Sequence, residues 1–159
     1  HLVKVCLSSK GPESCEEMRF GLNTRKYPGK DYAVVYTDGA CSNNQGPNPK
    51  AGYGVFWGDN HPLNVAKRIK GRQTNNRAEI KAVTKAVEQA IQNDYNGVIV
   101  FTDSHFVVKA MTKWIYGWRQ NGWRLYNGGP VKNRGDFEKL AKYSDQIDVI
   151  WVCKQHNHI

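Results

Sequence analysis

Two apolar runs that each lead into an aspartate constrain the fold of this chain more than any other feature. Tyr32-Ala33-Val34-Val35-Tyr36-Thr37 runs straight into Asp38-Gly39, and Val98-Ile99-Val100-Phe101-Thr102 runs into Asp103-Ser104. Short runs rich in β-branched and aromatic residues read as strands. Between them, residues 75–92 place Ile80, Val83, Val87, Ala90 and Ile91 on one helical face, with Glu79 near the start. Two strand ends and one helix start, each offering a carboxylate, can converge at the carboxyl edge of a sheet. Converging carboxylates repel one another, and a divalent cation relieves that repulsion. A carboxylate-only set suits Mg²⁺ or Mn²⁺. Taken singly, Asp38, Glu79 and Asp103 read as ordinary cap or turn residues. The coincidence of all three favours a metal site.

The remaining pattern fills in an α/β domain. Residues 1–30 show no sustained period and contain Gly11-Pro12 and Pro28-Gly29, so they read as a tail or linker. Residues 31–159 then form one ordered domain. Runs at 51–58 and 63–70 extend the first strand into an antiparallel meander, after a polar loop 41–50. Short helices are expected at 104–111 and 113–120, another at 135–143 with Asp136 as a cap, and a last strand at 147–152. The whole predicts a mixed, five-stranded α/β sheet with helices packed on both faces.

Charge narrows the ligand. The 159 residues carry a formal net charge of +9 and a pI near 9.4, which favours nucleic acid or an anionic surface. No apolar run approaches the ~18 residues a membrane span needs. Cys6, Cys15, Cys41 and Cys153 are scattered, which fits free thiols in a reducing compartment.

Residues 104–135 hold Lys109, Lys113, Arg119, Arg124, Lys132 and Arg134 and no Asp or Glu, together with Trp114, Trp118 and Trp123. Trp114 and Trp118 share a helical face. This window reads as a basic, aromatic arm for a nucleic-acid backbone. The alternative, a Trp-rich core under a solvated basic face, holds for at least one of the three tryptophans. Gly71 to Arg77 supplies small polar side chains at a helix N-terminus, suited to phosphate contacts, with plain capping by Thr74 or Asn75 as the other use. Cys41 and Asn44 follow Asp38 closely; Cys41 also fits a small packing residue. Cys153, His156 and His158 are too few and too closely spaced for structural zinc. A single catalytic role near the acidic trio is the better use of His156.

Tyr36-Thr37-Asp38-Gly39-Ala40-Cys41, Thr74-Asn75-Asn76-Arg77-Ala78-Glu79 and Thr102-Asp103-Ser104 together resemble the signature blocks of ribonuclease H, cellular type 1. Ala51-Gly52-Tyr53-Gly54-Val55 and the Trp114–Trp123 segment are similar to that family too, and the likeness spans about residues 31–156. It implies endonucleolytic cleavage of the RNA strand of RNA–DNA hybrids by two Mg²⁺ ions, leaving 5′-phosphate and 3′-hydroxyl ends. By position, Asp38, Glu79 and Asp103 match metal ligands. Cys41, Asn44, Asn75 and Asn76 match residues on the RNA strand, where 2′-hydroxyls distinguish RNA from DNA. Arg72, Thr74 and Asn133 match a pocket for a DNA phosphate. Trp114 and Trp118 match a DNA-strand channel, in which Tyr126 replaces a smaller residue.

The sequence departs from the family at one end. The family carries a fourth carboxylate on a helix beyond a Gly-His-Ser-Gly-like loop, whereas here Lys154-Gln155-His156-Asn157-His158 stands in the loop's place and Ile159 follows. The expectation is therefore an RNase H-like domain lacking its usual final C-terminal helix; the N-terminal hybrid-binding domain of many eukaryotic members is not within these 159 residues. A catalytically impaired hybrid-binding module is the alternative function. A monomer acting in the nucleus or mitochondrion suits such a substrate.

Overall fold

The computed structural model describes residues 4–8 and 32–154. Strands are β1 (Lys4–Ser8), β2 (Tyr32–Ser42), β3 (Lys50–Phe56), β4 (Val65–Arg68), β5 (Gly97–Thr102) and β6 (Asp148–Lys154). Helices are α1 (Asn75–Gln92), α2 (His105–Lys109), α3 (Ile115–Gln120) and α4 (Arg134–Ser144), with a π turn, Ala110–Trp114, joining α2 to α3. The sheet order is β1-β6-β5-β2-β3-β4. The β1, β6, β5 and β2 neighbours pair in parallel; β2, β3 and β4 form the expected antiparallel meander. All five expected strands are present. A sixth, β1, lies inside the stretch read as a tail and pairs along β6.

Side-chain alternation divides the sheet into two faces. Ala33 and Val35 of β2, Val98 and Val100 of β5, and Val149 and Trp151 of β6 are buried against Ile80, Val83 and Val87 of α1 and Phe137 and Leu140 of α4. Every residue of β5 is buried, as a central parallel strand requires. Tyr32, Ile99, Phe101, Ile150 and Val152 are buried on the opposite face. No described helix contributes to that second cluster, so the expectation of helices on both faces is met on one face among the described residues.

Local chemistry sets the boundaries. Asn64 accepts from the Trp57 N–H at 2.7 Å and donates to the Gly58 carbonyl at 2.7 Å. That closed loop trims the two expected runs of the hairpin to Lys50–Phe56 and Val65–Arg68. Thr74 caps α1, its hydroxyl oxygen accepting from the Arg77 N–H at 3.1 Å. The expected cap by Asp136 is absent from α4. Asn133 holds the cap position in a left-handed conformation (φ 61°) with no side-chain cap bond, and Asp136 pairs with Arg77 and Lys81.

Candidate active site

Strand register brings the two aspartates together. Tyr36 of β2 lies opposite Phe101 of β5 in the last parallel pair, so Asp38 and Asp103 each stand two residues further on. β2 does not end at Asp38, as its apolar pattern suggested. It runs on to Ser42 because β3 continues to pair with it, Asp38 opposite Gly54 and Ser42 opposite Lys50. What ends before Asp38 is the partnership with β5. The Thr37 hydroxyl donates to the Phe101 carbonyl at 3.1 Å and locks the junction. Ser104 then caps α2 through the Val107 N–H at 3.2 Å, turning the chain at once after Asp103. Asp38 and Asp103 line one cavity of about 420 Å³, walled by Tyr36, Phe56 and Val65.

Glu79 arrives from α1, and Gly39 explains how. A Cβ on Gly39 would lie 2.5 Å from the Glu79 nitrogen and 2.6 Å from the Ala78 carbonyl carbon. Only glycine lets the helix backbone press this closely on β2. Glu79 is consequently 5% exposed. Burial pushes its carboxyl up to about 7; the Gly39 N–H bond opposes that rise, and the charges of Asp38 and Asp103 add to it. Its Oε2 is buried without a hydrogen-bond partner.

The polar residues around the helix start meet in a second place. Asn44, Asn75 and Asn76 line a small pocket of about 90 Å³ together with Arg72, Thr74, Lys132 and Asn133. The Asn75 N–H donates to Asn44 Oδ1 at 3.2 Å, and Arg72 Nη2 to Asn133 Oδ1 at 3.4 Å. Asn133 Nδ2 is buried and unbonded. The pocket therefore offers N–H donors and two cations, a set matched to an anion. Cys41 stands outside this lining. It is half-buried against the cluster of Ala51, Ile69 and Ala78, its thiol toward the Gln73 carbonyl at 3.7 Å, which suits a packing role.

The aromatic arm forms a groove of about 810 Å³ lined by Trp114, Trp118 and Tyr126 with Lys113, Arg124 and Lys132. Trp114 is 41% exposed and Tyr126 fully so. Trp118 lies 6.1 Å from Trp114, centroid to centroid, and 5.3 Å from Phe137 of the core. Trp118 and Trp123 both pack against the main core, so the core reading of the tryptophan window holds for these two. Two of its cations are already paired: Arg119 with Asp145 at 2.9 Å, and Arg134 with Glu138.

A family model for RNase H matches residues 30–159. The chain belongs to the RNase H family. It is 47% identical to human ribonuclease H1 over 130 residues, which cover 82% of this chain and 45% of that protein. Ribonuclease H of Neorickettsia sennetsu is 41% identical over 128 residues, covering 78% of this chain and 81% of that one. The solution structure of the prototype foamy virus RNase H domain superposes with a TM-score of 0.60 at 25% identity, covering 82% of each chain. The chain spans under half the length of the human, mouse and rat relatives.

For a member of the RNase H family, the acidic site fits divalent cations by its donor set. Three carboxylates supply hard oxygens, and one buried oxygen of Glu79 has no other partner. Among the described residues, no three His, Cys, Asp or Glu side chains are already gathered as a metal cluster. The trio is close enough to raise Glu79 but not drawn in around a point. His156 and His158 lie outside the described residues. Cys153 is buried in the core. No described helix is long and apolar enough to cross a membrane.

The sequence pattern did not single out Arg77, whose guanidinium bonds Asp136 and two carbonyls of the 70–72 loop. The signal was its place inside Asn75-Asn76-Arg77-Ala78-Glu79. It also passed over Phe106, which lines the groove and lies tilted between Trp114 and Phe137, at 6.0 and 5.6 Å.

Proposed function

We propose that this chain is an endoribonuclease that hydrolyses the RNA strand of RNA–DNA hybrids, leaving 5′-phosphate and 3′-hydroxyl ends. The observation that carries this reading is the convergence on Glu79. A carboxyl pushed up to about 7 by burial, with Asp38 and Asp103 adding to the rise, is a site that gains most from a bound cation. Asp38, Glu79 and Asp103 would hold two Mg²⁺ ions, with Mn²⁺ as a substitute. When bound, the ions supply charge neutralisation and Lewis-acid activation of water and the scissile phosphate.

The protein's own residues do the rest. Asp38 is exposed where it lines the cavity and meets substrate first, while Glu79 is held buried behind it where α1 presses on Gly39. Asn44, Asn75 and Asn76 sit where a duplex backbone would pass the helix start, and read 2′-hydroxyls from the minor groove. Arg72, Thr74 and Asn133 hold a phosphate of the DNA strand, and Trp114, Trp118 and Tyr126 hold that strand's sugars in the basic groove. Cys41 supports the RNA-contact loop by packing, and His156 serves proton transfer at the acidic site. The domain works as a monomer on nuclear or mitochondrial hybrids.

The test is cleavage of a hybrid with labelled RNA, in Mg²⁺, in Mn²⁺ and in chelator, beside Asp103→Asn. Metal-dependent cleavage lost in Asp103→Asn is the expected result. Tight hybrid binding with no cleavage in either metal would establish the impaired binding module instead, and cleavage in chelator would overturn the two-metal reading.

A further inference from the structure

Three residues of the phosphate pocket come from two stretches of chain about 60 residues apart. Arg72 lies in the loop after β4, Thr74 caps α1, and Asn133 precedes α4. One residue, Arg77, ties all three, through its backbone N–H and its guanidinium. The Arg77 N–H donates to Thr74 Oγ1 at 3.1 Å. Its guanidinium donates to the Lys70 carbonyl at 2.9 Å and to the Arg72 carbonyl. Its Nε donates to Asp136 Oδ2 at 2.8 Å, in the first turn of α4 and three residues past Asn133. Gly71, at φ +80°, lies so near that a Cβ there would be 3.3 Å from Arg77 Nη1. The Arg77 and Asp136 side chains are only 15% and 12% exposed. Arg77 is therefore turned inward, away from any duplex.

We infer that Arg77 is a positioning residue: it fixes the pocket for a DNA-strand phosphate at a set distance from Glu79, two residues along the same helix. This rests on the hybrid reading above. A duplex gripped at one DNA phosphate then presents one RNA phosphate to the carboxylates. The link needs the fork of a guanidinium, since the Lys70 and Arg72 carbonyls and both Asp136 carboxylate oxygens, on two distant stretches of chain, are served from one planar group. Lysine would keep the charge and lose the geometry. Lys81 pairs with the same Asp136 at 3.3 Å; none of its observed bonds reaches the 70–72 loop or the Thr74 cap, so it supplies the control.

The experiment uses the full chain and a hybrid of fixed sequence with end-labelled RNA. The DNA strand carries one methylphosphonate, neutral in place of a charged phosphate, at successive positions. In the wild type, one position lowers cleavage about tenfold at a fixed offset from the cut, the loss of one charge-assisted contact. Arg77→Lys should lower kcat more than it raises KM, spread the cut over neighbouring phosphates, and shrink the methylphosphonate penalty to under about twofold. Lys81→Met should keep the single cut and the full penalty. Melting is followed in parallel, and Asp136→Asn replaces Arg77→Lys if the latter does not fold. A variant that keeps one cut position and the whole penalty overturns the inference, whatever its Tm. A wild type that cleaves hybrid but ignores every methylphosphonate removes the pocket and the inference together. A wild type that neither binds nor cuts hybrid overturns the functional reading beneath them.

Discussion

The acidic site and the aromatic arm solve opposite problems. At the acidic site the residues that do chemistry are also the residues that hold the fold. Glu79 is buried where α1 presses on β2, and Gly39 is the contact itself. In the arm the two duties are divided. Phe106, Trp118 and Trp123 pack on the core, while Trp114 and Tyr126 stand in solvent on the groove wall. A site fused to the core binds its geometry tightly but carries electrostatic strain. A site hung from the core adjusts easily and costs the fold little. Substitutions should therefore move stability and activity together in the first region and separately in the second.

The largest expected effect breaks the acidic side. In Gly39→Ala a methyl group would sit 2.5 Å from the Glu79 nitrogen. Backbone on both sides leaves no flexible group to yield, so we expect a loss of about 3 kcal/mol or more, or no folding at all. Tyr126→Ala, at a fully exposed position, should leave the denaturation midpoint within about 0.5 kcal/mol of wild type. Equal destabilisation by the two, in chemical denaturation, would erase the contrast.

Next comes Glu79→Gln. The Glu79 carboxyl rises from 4.5 to about 7 on folding. Its contribution to stability is thus complete below pH about 4.5 and is lost as pH rises through about 7. Near pH 8 without metal, the ionised form costs ~3 kcal/mol relative to the neutral one. Glu79→Gln should flatten the fall in Tm between these limits, raise Tm at pH 8 in chelator, and abolish cleavage. In the wild type, Mg²⁺ should stabilise more at pH 8 than at pH 5. A wild-type Tm that does not fall across this range would mean that Glu79 is not strained by its burial and its acidic neighbours.

The two regions also differed in how far the sequence revealed them. Asp38, Glu79 and Asp103 stood out in the sequence because each adjoins an apolar run or a helical period that is plain. The full length of α1, residues 75–92, emerged from apolar spacing alone. What stayed hidden was set by partners distant in sequence. The extension of β2 past Asp38 depends on β3, and the use of Asp136 depends on Arg77, 59 residues earlier. In the arm, composition announced a basic aromatic surface but not which cations were already engaged. Arg119 and Arg134 find Asp145 and Glu138 only in three dimensions and along one helix turn respectively. β1 was hidden for another reason: five residues are too few to show a period.

A smaller effect sharpens the division within the arm. Trp118→Ala removes a ring 5.3 Å from Phe137, so it should cost about 3 kcal/mol of stability as well as hybrid affinity. Trp114→Ala, at a position 41% exposed, should spare the fold and cost about 1–3 kcal/mol of binding, the usual worth of one aromatic platform. The check is denaturation beside hybrid binding at one salt concentration. If Trp114→Ala destabilises as much as Trp118→Ala, the arm is a core element with a basic coat.

The smallest effect separates cations that look alike in sequence. Arg124 lines the groove, and its bond to the Gly128 carbonyl, at 3.4 Å, is long. Arg119 faces Asp145 at 2.9 Å, both partly exposed. A cation that already has a carboxylate beside it condenses less of the phosphate charge, because binding must first weaken that pair or carry the aspartate's repulsion. Each free cation that meets a phosphate contributes about 0.9 to the slope of log affinity against log salt on B-form DNA, and close to that on a hybrid. Arg124→Ala should therefore flatten the slope by about 0.9, and Arg119→Ala by less than half as much. Asp145→Asn should steepen it by freeing Arg119. The measurement is hybrid affinity at four or more salt concentrations for the three variants. Equal flattening by Arg119→Ala and Arg124→Ala would show that the ion pair opens freely when the duplex arrives, and that the arm, unlike the acidic site, is rebuilt by its ligand.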